Sequence, residues 1–111
     1  MTKKEDPIKE KNRIIIQAAD DKLAKDIKTI KLDHQAGLSD YFIIMSGRNK
    51  NHTQAIADAI DQALSNAGTP AVRTEGMREG SWILLDCGET IVHIFTEEKR
   101  EYYGLEELWA D

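Results

Sequence analysis

Residues 82–95 read WILLDCGETIVHIF, and this stretch decides the fold. Apolar and polar side chains alternate on both sides of Gly88-Glu89, a pair that suits a type II′ turn with Gly at its first central position. That turn sets Cys87 opposite Thr90, Asp86 opposite Ile91, Leu84 opposite His93 and Trp82 opposite Phe95. Successive strand side chains point to opposite sides, so the hairpin has two unlike faces. Ile83, Leu85, Val92 and Ile94, with Cys87 and Thr90 at the turn end, form a face fit for a core. Trp82, Leu84, Asp86, Ile91, His93 and Phe95 form the other. A carboxylate and an imidazole among large apolar groups make a poor core and a good contact surface.

Upstream, residues 26–33 (DIKTIKLD) predict a strand with two exposed lysines, and the loop HQAGLSD follows. Residues 41–46 (YFIIMS) are a short continuous apolar run, the pattern of a strand buried on both faces. Asn51 and Gln54 stand at capping-box spacing, although Asn49 also suits a cap. Ala55, Ile56, Ala59, Ile60, Ala63, Leu64 and Ala67 then form an apolar stripe that Gly68 is placed to end. Nearer the N-terminus, Pro7 suits the first turn of a helix running to about Lys25. Its stripe is Ile8, Ile15, Ala18, Ala19 and Leu23, widened by Ile14 and Ile16. Residues 71–74 predict a brief strand before the hairpin, and the aromatic segment 97–109 a short helix that Gly104 redirects.

The order is α-β-β-α-β-β-β-α, an α/β (α+β) chain with a mixed five-stranded sheet packed with helices. Strand 41–46, the long helix and strand 71–74 form a crossover unit. Residues 1–111 are expected to be a single domain, with 1–6 frayed. If the helices cover the Ile83 face, the Trp82 face looks outward.

A single cysteine leaves no intramolecular disulfide, no apolar run is long enough to span a membrane, and the N-terminus lacks a secretory apolar region. Cytoplasmic residence without membrane attachment is the expectation. The net charge of −5 lacks the footprint of a nucleic-acid binder, so no specific nucleic-acid readout is expected. It suits a basic protein partner instead.

No histidine or cysteine pair has zinc-ligand spacing, and Cys87 and His93 fall on opposite hairpin faces, which argues against a nucleophile–base pair between them. Ser46-Gly47-Arg48 lies between a buried strand and a helix, like the glycine-serine turn of nucleotidyltransferases. Those enzymes need a D-x-D pair on the next strand to hold metals, and AVRTEG has none. Neither enzymatic activity nor a cofactor is expected. A divergent metal-dependent nucleotidyltransferase remains one alternative. An RNA-binding module is another, but Lys28, Lys31, Arg48 and Lys50 are few and scattered.

The succession DYFIIMSGR, QAIADAIDQAL, EG, WILLDCGETIVHIF and REYYGLEELW resembles the iojap, or ribosomal silencing factor, family from about Lys11 to Trp109. The resemblance implies a nucleotidyltransferase-like topology without the catalytic carboxylates, and a translational repressor rather than an enzyme. Members bind ribosomal protein fourteen of the large ribosomal subunit, block joining of the small subunit when nutrients are short, and often form a homodimer when free. On that resemblance the contact residues are Trp82 as anchor, flanked by Leu84 and Phe95, with Asp86 accepting from a partner cation and His93 at the same edge. Tyr103 and Glu106 extend the surface, with Lys99, Arg100 and Tyr102 nearby.

Overall fold

The computed structural model describes residues 5–32 and 40–109, and the side chains from Pro7 to Leu108 within them. The loop expected at residues 34–40 lies, but for Asp40, outside the described residues, as do residues 1–4 and the side chain of Trp109. Glu5 and Asp6, expected to be frayed, belong to the first helix.

The elements are α1 (Glu5–Asp21), β1 (Lys25–Lys31), β2 (Tyr41–Gly47), α2 (Lys50–Asn66), β3 (Arg73–Glu75), β4 (Trp82–Asp86), β5 (Thr90–Thr96), α3 (Glu97–Tyr103) and α4 (Leu105–Trp109). They build one five-stranded mixed sheet of order β1-β2-β5-β4-β3. The hairpin register is the expected one, with Trp82 opposite Phe95, Leu84 opposite His93 and Asp86 opposite Ile91. Gly88 supplies the positive φ of +85° at the turn. β2 runs parallel to β5, Ile44 beside His93 and Ser46 beside Phe95. The crossover through α2 therefore passes over β5 and β4 before reaching β3 at the far edge.

The main core lies between the sheet and the α1–α2 layer. Ile83, Leu85, Val92 and Ile94 are completely covered there by Ile15, Ala19, Ile56, Ile60 and Leu64. The burial along α2 departs from the expected stripe: Ala55 and the C-cap Ala67 are exposed, while His52, Thr53 and Ala57 are buried. The N-cap of α2 is Asn49, whose side chain accepts from the His52 N–H. Gln54 instead donates to the Met77 carbonyl oxygen, tying α2 to the loop before the hairpin.

Both long helices end in the same hydrogen-bond pattern. In α2, Thr69 N–H donates to Leu64 O and Gly68 N–H to Ser65 O, with Gly68 at φ +81°. In α1, Ala24 N–H donates to Ala19 O and Leu23 N–H to Asp20 O, with Leu23 at φ +63°. Both are Schellman motifs, whose left-handed residue is ordinarily glycine. α1 therefore ends at Asp21 and not at about Lys25 as expected: the motif at Leu23 stops it, and leucine in place of glycine gives no sign of this in the sequence. Leu23 is 67% exposed, so little packing offsets its backbone strain. Leu23→Gly is expected to raise stability by about 0.5–1 kcal/mol, the relief of strain exceeding the entropy glycine adds to the unfolded chain. The midpoint of urea unfolding reads this directly.

Candidate functional site

The outer face of the sheet is not uniformly open. Ile30, Leu32, Phe42, Ile44 and Phe95 form a second buried cluster there, with Trp82, Ile91 and Leu105 packed against it. β2 is thus buried on both faces, as its apolar run requires. α3 and α4 return along this side of the sheet. Thr96 ends β5 and caps α3 by accepting from the Lys99 N–H, while Gly104 at φ +57° turns the chain into α4.

Arg100 holds this return in place. Its guanidinium lies 2.7 Å from Glu106 Oε1 and 2.8 Å from Ser46 Oγ, and it reaches the Lys25 carbonyl oxygen at 3.4 Å. Lys28 also pairs with Glu106 at 3.3 Å. The Arg100 hydrogen bond, then its charge, holds the Glu106 carboxyl below the usual carboxylate range. Arg100 and Glu106, expected to face a partner, are instead engaged with each other and with the sheet. Leu105 of α4 packs against the second cluster, whereas Leu108 is 74% exposed.

Two further expected contact residues lie beneath the surface. Phe95 is wholly covered, and the His93 side chain sits between Phe42 and Phe95 with ring centroids at 4.5 and 6.3 Å. The Trp82 indole N–H donates to His93 Nδ1 at 3.1 Å, and Nε2 is buried with no partner among the described residues. An unpaired buried polar group costs about 1–3 kcal/mol. Burial also pushes the His93 pKa down to about 4.

An open half remains, over β4, β3 and α3. Trp82, Leu84, Asp86 and Ile91 are half-buried, and Tyr102 and Tyr103 are 75% and 43% exposed. The Trp82 ring leans on Tyr103 and Phe95 at 4.7 and 4.9 Å, and Lys99 Nζ stands 5.0 Å from the Tyr102 ring. Asp86 Oδ1 accepts from the Gly88 N–H across the turn. Its Oδ2 lies 3.7 Å from Arg73 Nε on β3. The hydrophobic alternation of the hairpin does not reveal Arg73; its place beside Asp86 follows only from the β3–β4 register.

The Ser46-Gly47 turn offers little room. Arg100 occupies Ser46 Oγ, and a Cβ added at Gly47 would meet Thr53 Cγ2 at 2.9 Å. Among the described residues no group of three His, Cys, Asp or Glu side chains could hold a metal ion. Cys87 lies in the main core, where burial pushes its thiol up to about 11 and leaves it unreactive.

The family model described as "Ribosomal silencing factor during starvation" matches residues 5–111. The chain belongs to the ribosomal silencing factor family. Family membership accounts for the fold: a crystal structure from Chromobacterium violaceum, 31% identical, superposes with a TM-score of 0.88 over 92% of this chain and 85% of that one. Ribosomal silencing factor RsfS of Bacillus subtilis is 37% identical across 89% of this chain and 84% of its own length. The mouse protein named for mitochondrial assembly of the ribosomal large subunit is 33% identical, covering 78% of this chain and 40% of its own length. The family is named for a regulatory task, not a reaction.

The buried imidazole gives stability a defined pH dependence. The unfolded chain binds a proton at His93 below its ordinary pKa of 6.5, whereas the folded chain resists until about 4. Stability is therefore complete above 6.5 and falls as the pH drops towards 4, by about 3 kcal/mol from this group. The Glu106 contribution is lost at lower pH, as the medium falls through its depressed pKa. Urea unfolding from pH 7 to 4 is expected to show the loss in the wild type and to lack this part of the slope in His93→Leu.

Proposed function

We propose that the chain represses translation by docking on the large ribosomal subunit through ribosomal protein fourteen, where its bulk prevents the small subunit from joining. The observation that carries this reading is the open half of the outer sheet face, where Trp82, Leu84 and Asp86 lie beside Tyr102 and Tyr103. Aromatic rings in a half-buried setting supply large contact area at small entropic cost. The family description and the large-subunit role in the mouse protein's name support the choice of target. The net charge of −5 favours a basic protein over the surrounding RNA phosphates.

In this reading Trp82 is the apolar anchor, Leu84 and Tyr103 lie beside it, and Ile91 extends the apolar surface towards the hairpin turn opposite Asp86. Asp86 offers its carboxylate to a partner lysine or arginine, which must share it with Arg73. Lys99 and Tyr102 lie at the rim. Phe95, His93, Arg100 and Glu106 act from within the chain, by holding the surface in shape. The action belongs in the cytoplasm, and a homodimer of the free chain that used the same face would compete with the ribosome.

Sedimentation with purified subunits tests the proposal. The chain is expected to travel with the large subunit and to lower the yield of joined ribosomes; travel with neither subunit sinks it. Trp82→Ala and Asp86→Lys are both expected to weaken large-subunit binding, the latter by about 2–5 kcal/mol. Asp86→Asn keeps an oxygen for the Gly88 N–H and loses only the charge, so it is expected to weaken binding less.

A further inference from the structure

Trp82 is held by two kinds of contact. Its ring rests against Tyr103 and Phe95, tilted to both, at centroid distances of 4.7 and 4.9 Å. Such contacts favour a region of space and tolerate sliding. The hydrogen bond from Nε1 to His93 Nδ1, 3.1 Å long, is directional and admits one orientation of the indole. His93 stands opposite Leu84 and diagonally from Trp82, within reach of a long side chain on the same face.

An imidazole is an unfavourable choice for this place unless the acceptor is needed. To accept at Nδ1, the neutral ring must carry its proton on Nε2. That N–H is sealed from water without a partner among the described residues, in a side chain only 4% exposed. Phenylalanine or leucine would fill the space between Phe42 and Phe95 with no unsatisfied group of its own, but would leave the Trp82 indole N–H without its acceptor. What the imidazole adds is the acceptor for Trp82.

We propose that His93 is a positioning residue, which fixes the orientation of the Trp82 indole from beneath the surface and so presets the anchor of the docking face. This inference rests on the docking reading above. An indole already held in its bound orientation loses less freedom on association. The interaction also consumes the indole N–H, so Trp82 presents its ring and not its donor to a partner.

The hydrogen bond itself is testable in the free wild-type chain: a through-bond nitrogen–nitrogen coupling between Trp82 Nε1 and His93 Nδ1 is expected by NMR, and its absence overturns the proposal. His93→Phe and His93→Leu lack the acceptor. In both, the Trp82 indole proton signal is expected to shift and exchange faster, and affinity for purified large subunits to fall about five- to tenfold. His93→Asn places an oxygen near the Nδ1 position and is expected to restore the indole signal and most of the affinity. Trp82→Ala, measured in parallel, separates the two readings. If it loses affinity while folded His93→Phe binds like wild type, docking stands and the positioning role is overturned. If Trp82→Ala binds like wild type, the anchor assignment falls, and with it the role of His93. Should the apolar variants not fold, the wild-type coupling and His93→Asn decide the matter.

Discussion

The parallel pairing of β2 with β5 is the constraint on which the remaining structure depends. It brings two strands rich in large apolar side chains together near the middle of the sheet, and each is apolar on both faces. A sheet of this kind has to be covered twice. α1 and α2 cover one side with Ile15, Ile56, Ile60 and Leu64. The other side is covered only in part, by the returning C-terminal helices and by the cluster of Ile30, Phe42, Ile44 and Phe95. The boundary between covered and open halves runs along Trp82, and the aromatic surface exists because coverage stops there.

Polar groups hold that boundary. Arg100 draws α3 and α4 onto the sheet through Ser46 Oγ and the Lys25 carbonyl oxygen, and Glu106 closes the arrangement from α4. Lys11 does comparable work at the opposite end, reaching from α1 to the Cys87 carbonyl oxygen at 2.8 Å beside the hairpin turn. Thr90 and Asn12 share a buried hydrogen bond of 2.6 Å close by. Apart from the Arg100–Glu106 pair, these contacts join segments distant in the chain, and they tie α1, α3 and α4 to the sheet. Apolar packing alone specifies such placements less sharply.

The hairpin register and the turn at Gly104 were legible in the sequence because each depends on neighbours within a few residues. The two-sided burial of β2 was legible because its unbroken apolar run signals it whatever segments supply the cover. So was the family, through the motifs around Trp82 and Trp109. The extent of the open face was not legible. Alternation places Phe95 and His93 beside Trp82 on one face, but their burial depends on β2 from across the sheet and on the terminal helices folding back. Arg100 illustrates the same limit: nothing in KREYYGLEE indicates that its partner is Ser46, fifty-four positions earlier in the chain. The end of α1 was hidden for a different reason, since Leu23 occupies a backbone conformation that glycine usually announces.

The two borders of the sheet have a consequence for how the protein behaves in a crowded solution. β1 carries Lys25, Lys28 and Lys31 and is interrupted by an irregularity between Lys25 and Lys28. β3 is three residues long, wholly exposed, and carries an ion pair between its two end residues, Arg73 and Glu75. Charges, a bulge and brevity are the features that stop a foreign strand from adding to an unpaired edge. Such borders disfavour growth by strand addition, even where copies of the chain are numerous.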